Sequence, residues 1–400
     1  LLLSQISFHQ LAMLSGSVAF FAFFLIALSL LKEAASSSRS VNLTGLALLQ
    51  QQPVRRYALL TFSSHLLGIL MSVGAINLLG TMIQRSLYEN KDTVDARINS
   101  ARERRMMLAV LRGFCSIPLW APTTVTITLL VTTIPDLQWI DIMPYGLYLT
   151  LALLLFGIWL DYIQAPKYLS HLVPTISNNL SDLKVSFPII VVVIALAFVS
   201  SLLIFMTTLR PISAVLVSAA IISTAWIFAQ HHREHNKVDA IRLTVKRFTT
   251  DIFDRLPLQR SEIVFFAGSV LIGRLLLIVL DLEWIAHQLA LINISAALIL
   301  ILSSWIIFIA ALLYINPIIS VTLVAGALSQ LPIVENMPVT IALVMMVTWA
   351  MVIGSSPITT SVRIGAKLTG ISPFQLGIKW NGLYSALVLL VLDFFLLIML

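Results

Sequence analysis

The sequence predicts an all-α, polytopic helical membrane protein, and three observations support that fold class. Of its 400 residues, 59% are hydrophobic and 11% are charged, whereas a soluble domain carries about 25% charged residues. Runs of about 20 apolar residues, long enough for a helix to span a bilayer, recur along the chain. A polar motif is repeated inside two of these runs. The apolar stretches lie at about 11–32, 57–83, 106–134, 145–165, 187–208, 211–230, 263–283, 289–333, 338–370 and 379–400.

The stretch at 57–83 is predicted to enter and leave the membrane on one side. Arg55 and Arg56 precede it, and Arg85 follows it. Because cytoplasmic loops are enriched in Lys and Arg, both of its ends are expected inside the cell. A re-entrant hairpin satisfies this charge pattern and a single crossing does not. Its expected tip is Asn77.

The stretch at 289–333 is predicted to form a second re-entrant hairpin from the opposite side. It is about twice as long as one span, and it contains Asn316-Pro317 in its second half. No Lys or Arg occurs between Arg274 and Arg363, so both ends of this hairpin are expected outside. The carboxyl terminus is then expected outside as well.

Two other stretches carry the same polar motif, which indicates a duplicated unit. The first reads Pro122-Thr123-Thr124, and the second reads Pro357-Ile358-Thr359-Thr360. Proline removes a backbone donor and disrupts the preceding turn, so each stretch is predicted to be a broken helix. Together with the hairpins this gives an inverted repeat. Its first unit is expected over 1–165, lacking its amino-terminal crossings, and its second over 166–400.

This order of crossing, hairpin, broken helix and final crossing, present twice, resembles the ion transporter superfamily, which includes the divalent anion/sodium symporters. In that group the hairpin tips and helix breaks carry short Ser-Asn-Thr or Thr-Pro motifs. The matching positions are Asn77, Pro122-Thr123-Thr124, Asn316-Pro317 and Ser355-Ser356-Pro357-Ile358-Thr359-Thr360. The Ser-Asn-Thr triplet itself is absent at both tips. The resemblance implies a homodimer and an elevator mechanism.

The residues expected to bind substrate or ion lie at these tips and breaks. Carbonyls freed by each proline, together with hydroxyls, form oxygen clusters suited to Na⁺, and helix amino termini offer partial positive charge to an anion. Arg363, one turn past Thr360, is either an anion ligand or an anchor at the cytoplasmic end. The predicted site comprises Asn77, Pro122, Thr123, Thr124, Asn316, Pro317, Ser355, Ser356, Pro357, Thr359, Thr360 and Arg363.

The sequence therefore predicts a secondary transporter for a small anion, coupled to Na⁺ or H⁺, in a bacterial inner membrane. No enzymatic activity is expected, and no cofactor unless Na⁺ is the coupling ion. Expected partners are the small anion, the lipid bilayer and a second copy of the chain, with no nucleic acid. Two alternatives stay open: an exporter or flippase of an amphipathic metabolite or lipid-linked precursor, and a membrane scaffold or sensor without transport.

Ionisable residues elsewhere in the apolar stretches are assigned structural roles. Arg112 is expected to lie at the inner interface with its charge in the headgroup region. Asp393 is expected to pair with Arg274, with proton carriage as the alternative. His65, inside the first hairpin, is interpreted as a hydrogen-bonded core histidine.

Two basic segments are predicted to be surface helices that connect moving and fixed parts. They lie at about 90–104 and 238–256. In the second, apolar residues recur every three or four positions between charged ones, as in a helix that lies on the inner leaflet. Its expected role is structural, with lipid-regulated switching as the alternative.

Overall fold

The computed structural model describes residues 8–49, 51–89, 95–165, 187–254, 257, 260–292 and 294–400. Within these ranges the chain forms seventeen α-helices and no strand, which confirms the all-α fold class. Five helices are long and apolar enough to cross a membrane, or up to six if one bent pair counts as a single span. The chain is therefore polytopic, as predicted.

The helices are named in chain order. The first seven are α1 (Phe8–Ser36), α2 (Arg39–Leu49), α3 (Pro53–Met71), α4 (Gly74–Glu89), α5 (Ala96–Cys115), α6 (Val125–Thr133) and α7 (Trp139–Gln164). The next five are α8 (Phe187–Met206), α9 (Pro211–His232), α10 (Lys237–Lys246), α11 (Arg260–Val279) and α12 (Leu282–Leu291). The last five are α13 (Ala296–Leu312), α14 (Pro317–Leu328), α15 (Pro338–Ser355), α16 (Thr360–Thr369) and α17 (Gly382–Met399).

Helices α3 and α4 form the first hairpin, and both pack against α5. The Ser64 hydroxyl of α3 donates to the Val110 carbonyl of α5 at 2.7 Å, and Gly68 lies against Phe114, so α3 runs parallel to α5. In α4, Gly80 lies against Met107 of α5. Farther along, Gln84 of α4 donates to Glu103 at 2.7 Å, so α4 runs back in the opposite direction.

The tip of the first hairpin differs from the prediction. The chain reverses at Ser72-Val73, between the end of α3 and the start of α4. Ser72 has φ 51, a left-handed backbone conformation that few residues other than glycine adopt. Asn77 lies in the first turns of α4 and is exposed, so its predicted place at the tip is wrong.

Helices α13 and α14 form the second hairpin, whose tip lies at Leu313–Ile315. Tyr314 in this tip has φ 67. The Asn316 side chain accepts a hydrogen bond from the Ile318 amide at 2.9 Å and so caps α14, and Pro317 occupies the first helical position, where its missing amide hydrogen costs nothing. The predicted chain reversal near Asn316 is confirmed.

Both helix breaks are present as predicted. Helical hydrogen bonding lapses between Cys115 and Val125, with one 3₁₀ turn at Ile117–Leu119 between them, and again between Ser355 and Thr360. Pro122 and Pro357 lie within these non-helical segments. The lapse follows from the missing proline donors and the turn-forming hydroxyl residues beside them.

The two broken helices cross at their breaks and run in opposite directions. Gly354, at the end of α15, lies against Cys115, at the end of α5, whereas Gly365 of α16 lies against Met107 of α5. Helix α16 therefore runs back along α5 from the shared level of the two breaks. An inverted repeat produces this geometry, while the division into units 1–165 and 166–400 stays a prediction.

Charged residues distinguish the two membrane faces. The start of α5 carries Arg97, Arg102, Arg104 and Arg105, and we call this face the basic side. The opposite, acidic side carries Asp136 between α6 and α7, Asp141 in the first turn of α7, and Glu335 before α15. Helix α5 is continuous from Ala96, so the prediction of a separate surface helix at 90–104 is wrong for the described residues, and 90–94 lie outside them.

Candidate functional site

The first break satisfies several of its freed carbonyls with protein groups. The Trp139 indole donates to the Trp120 carbonyl at 2.8 Å, and the Thr124 hydroxyl donates to the Ala121 carbonyl at 2.9 Å. Irregular backbone at membrane depth is tolerated only when such partners exist. Thr124, a predicted site residue, therefore repairs the backbone here.

His65 joins the first hairpin to the same break. The Trp120 indole donates to His65 Nε2 at 3.0 Å, so this nitrogen is unprotonated and the proton of a neutral ring lies on Nδ1. His65 Nδ1 lies 2.8 Å from the Ser116 hydroxyl, which donates in turn to the Gly113 carbonyl at 2.8 Å. The interpretation of His65 as a hydrogen-bonded core histidine is confirmed.

The second break is repaired in the same way. The Thr359 hydroxyl donates to the Ser356 carbonyl at 2.7 Å, and the Ser356 hydroxyl donates to the Ala311 carbonyl at the end of α13 at 2.6 Å. The Ser355 and Ser385 hydroxyls are 2.6 Å apart. These contacts hold the break, the second hairpin and α17 together.

Thr123 differs from the other hydroxyl residues of the breaks. Its side chain is buried, with 8% exposure, and its hydroxyl has no hydrogen-bond partner among the described residues. A buried hydroxyl without a partner costs free energy unless a ligand or water completes its bonding. Among the buried and half-buried hydroxyls of the two breaks, Thr123 is therefore the one that the described chain leaves without a partner.

Arg112 lies at the centre of the molecule, and its predicted place at the inner interface is wrong. The side chain is 2% exposed. Its Nε donates to the Asn381 side-chain oxygen at 2.9 Å, and its Nη1 donates to the Tyr57 hydroxyl at 3.0 Å and the Gly157 carbonyl at 3.3 Å. The guanidinium carbon lies 4.6 Å from the centre of the Tyr384 ring. No carboxylate of the described chain forms an ion pair with it.

Asn381 connects Arg112 to the second broken helix. Its side-chain nitrogen donates to the Gly354 carbonyl at 3.0 Å. A π-helix at Gln375–Trp380 precedes it, and Gly377 in that helix lies so close to the Ser355 carbonyl that a Cβ would collide with it. A π-helix with a close glycine contact is a frequent device at functional sites. Here it places Asn381 between the two breaks.

Sequence reasoning missed the central position of Arg112, although one signal was present. The residue follows the apolar run Met106–Leu111, and an ionisable residue inside a membrane stretch is a functional candidate by default. Its partners come from four other elements, and they become visible only in three dimensions.

On the basic side, helices α4 and α16 each carry a row of exposed polar side chains along one face. Thr360, Arg363 and Lys367 are exposed along one face of α16, and Asn77 and Thr81 are exposed along α4. The two helices pack through Gly80 and Leu368. Since charged and amide side chains are costly in contact with lipid tails, both stripes are expected to border a water-filled vestibule between the breaks and the basic side.

On the acidic side, the corresponding helices are closely packed and carry no charge. Helices α6 and α14 contain no Asp, Glu, Lys or Arg. Gly326 of α14 lies against Thr133 of α6 and Leu277 of α11, and Gly273 of α11 lies against Thr322. At the start of α14, the Asn316 side chain donates a hydrogen bond to the Ser269 hydroxyl of α11 at 2.6 Å. Helices α6, α11 and α14 are therefore tightly packed here.

The predicted pairing of Arg274 with Asp393 is wrong. Arg274 donates to the Thr132 carbonyl at 2.8 Å, and Asp393 accepts a hydrogen bond from the Trp305 indole at 2.8 Å. Neither residue borders a helix break, so we leave both outside the candidate site.

Neither a scan against protein-family models nor a search of curated proteins finds a match. Among solved structures, the chain is similar to the YdaH transporter of Alcanivorax borkumensis, whose crystal structure is described as having an unusual topology. The two share 14% sequence identity with a TM-score of 0.52, and the match covers 98% of this chain and 88% of YdaH. At this identity the similarity shows the fold alone: the chain has the fold of a membrane transporter.

Proposed function

We propose that this chain is a secondary transporter for a small anion, held here in a state open to the basic side. The single observation that carries the proposal is the contrast between the polar stripes of α4 and α16 and the closed packing of α6 and α14. A path that is open at one end and closed at the other is what alternating access requires. A scaffold has no need of it.

The charges along the open path favour an anion. Arg363 and Lys367 are exposed on α16, and the end of Lys32 on α1 lies close to Gly74 at the start of α4. Glu89 is the one carboxylate of these two path helices, and it is paired with Arg85 at 2.9 Å at the outer end of α4. Carboxylates and inorganic oxyanions are the substrates that such a cationic path attracts.

For coupling, we propose that Na⁺ or H⁺ binds near the first break, with the Thr123 hydroxyl as one ligand if the ion is Na⁺. In keeping with the resemblance to the ion transporter superfamily, we propose that the hairpins and broken helices move together as an elevator within a homodimer. The bonds that link Arg112 of α5 to Tyr57 of α3, and through Asn381 to Gly354 of α15, support a common rigid body. The membrane would be a bacterial inner membrane with the basic side in the cytoplasm.

Uptake by proteoliposomes tests the proposal. A panel of labelled mono- and dicarboxylates, phosphate and sulfate is offered with and without an inward Na⁺ gradient or a pH gradient. We expect accumulation of at least one anion that depends on one of these gradients. If Arg363 faces the substrate, Arg363→Gln should raise KM about 10-fold or more, since hydrogen bonds to charged groups contribute about 1.5–3 kcal/mol.

The matched control is Arg85→Gln, which removes an exposed arginine at the far end of α4. It should leave KM unchanged. Equal loss in both variants would mean that general surface charge matters and that Arg363 does not bind substrate. Absence of gradient-driven uptake for the whole panel would contradict the proposed anion transporter.

A further inference from the structure

Helix α10 lies against the ends of α9 and α1 on the basic side. Ala240 and Thr244 of α10 are buried, and the Thr244 hydroxyl lies 3.1 Å from the His231 ring nitrogen Nδ1. In the π-helix that continues α10, Arg247 forms an ion pair of 3.1 Å with Glu33 of α1. One face of the segment is therefore fixed to the transmembrane body.

Another face of α10 carries an apolar stripe that nothing in the described chain covers. Val238, Ile241 and Val245 are 75%, 48% and 55% exposed. Their spacing of three and four residues places them in one row along the helix. Single exposed apolar side chains are common at protein surfaces, but an aligned row on a charged helix marks an interaction surface.

Cations flank this row. Lys237, Arg242 and Lys246 are exposed, and none of them forms an ion pair with a described residue. Apolar residues that enter the acyl boundary, bordered by cations at headgroup level, are the arrangement of a helix that binds a membrane surface. The charge complement of such a surface is anionic lipid.

We propose that α10 is a docking surface for anionic phospholipid headgroups, with Val238, Ile241 and Val245 inserted beside them. Arg247 ties this surface to Glu33 of α1 at 3.1 Å. The surface is separate from the proposed anion path and does not depend on transport.

A fluorophore attached through Ile241→Cys tests the proposal in the detergent-solubilised full chain. The sole native cysteine, Cys115, is buried and gives little background. Phosphatidylglycerol should change the fluorescence in a saturable way, whereas phosphatidylcholine and inorganic phosphate should not. Neutralising two cations with Arg242→Gln and Lys246→Gln should raise the half-saturating concentration roughly 30-fold, as expected for two charges near an anionic surface.

The matched control neutralises two exposed arginines on α5, with Arg97→Gln and Arg104→Gln, and should leave the titration unchanged. An equal response to phosphatidylcholine, or an equal effect of the two double variants, would overturn the proposal. So would a response that follows protein concentration instead of lipid, because a second copy of the chain would then cover this face.

Discussion

On each side of the breaks, the second arm of one hairpin lies with the outgoing half of one broken helix, and the two pairs differ in surface polarity. Towards the basic side, α4 and α16 have 16 and 10 residues and present Asn77, Thr81, Arg363 and Lys367 to their surroundings. Towards the acidic side, α14 and α6 have 12 and 9 residues and contain no charged residue. Helices at equivalent places on the two sides of the breaks therefore differ in the polarity of their outward faces.

Glycines bring the helices into close contact in both halves. Gly326 and Gly273 let α14 approach α6 and α11 until side chains of the neighbours occupy the space of a Cβ. In the open half, Gly80 lets Leu368 of α16 approach α4 equally closely, and Gly365 does the same for Leu376. The helices of both halves therefore pack tightly where they meet their neighbours. The two halves differ in the polarity of the side chains on the remaining surface of these helices.

The centre between the halves should be the most sensitive part. Arg112→Ala removes three hydrogen bonds and leaves the Asn381 oxygen buried without its partner, so we expect a loss of about 3–5 kcal/mol in the free energy of unfolding. Thermal unfolding in detergent measures it. Arg112→Lys should recover little, because an ammonium group cannot reproduce the fork of a guanidinium.

Arg363→Ala is the comparison for that measurement. Arg363 is exposed on the open stripe, so its removal should change stability by less than about 0.5 kcal/mol. Similar thermal stability of the Arg112 and Arg363 variants would show that the two breaks are not held together through Arg112, and that the halves are independent.

The breaks and the second hairpin were predictable because their signals are local. Proline beside hydroxyl residues interrupts a helix wherever it stands, and Asn316-Pro317 combines a capping side chain with the residue favoured at the first helical position. The sequence also correctly predicted that the polar residues of the two motifs lie at the helix breaks. Their hydroxyls mostly satisfy the protein's own carbonyls, which sequence alone cannot distinguish from ligand binding.

The first hairpin tip and the role of Arg112 were not predictable in this way. The tip at Ser72-Val73 lacks both proline and asparagine, and the positive φ of its exposed Ser72 falls on a residue type that gives no local signal for it. Arg112 takes its partners from Tyr57 and Asn381, which lie 55 and 269 positions away in sequence. No local pattern reports contacts at that separation.

Accessibility to water should differ between the two halves. Cysteines replacing Thr360 and Lys367 on α16 should react with a charged thiol reagent about 10-fold faster or more than cysteines at Leu323 and Ala327 on α14, because the reactive thiolate forms only in water. Leu323 and Ala327 are half-buried and lie about one turn apart, whereas Thr360 and Lys367 lie about two turns apart. Labelling in sealed vesicles, from each side in turn, makes the measurement.

The direction of labelling sharpens the comparison further. Reagent on the side of Arg102 should reach position 367, whereas reagent on the side of Glu335 should not. Equal rates on α14 and α16 would mean that the polar stripe faces lipid or protein, and the vestibule would have to be abandoned. Faster labelling of α14 would reverse the assignment of the open side.

The smallest expected effect is a difference in stability between valine variants of the adjacent Thr123 and Thr124 in the first break. Thr124→Val removes the hydrogen bond to the Ala121 carbonyl and should cost about 0.5–1.5 kcal/mol of stability. Thr123→Val removes a buried hydroxyl that has no partner in the described chain, so stability should stay the same or rise slightly.

If the Thr123 hydroxyl binds substrate or ion, the same variant should weaken that binding about 5- to 150-fold, since one lost ligand costs about 1–3 kcal/mol. Thermal unfolding and uptake kinetics on both variants distinguish the roles, because only a ligand can reduce uptake while leaving stability intact. A Thr123→Val protein that transports normally would place the binding site elsewhere, and one that loses stability as Thr124→Val does would make its hydroxyl structural.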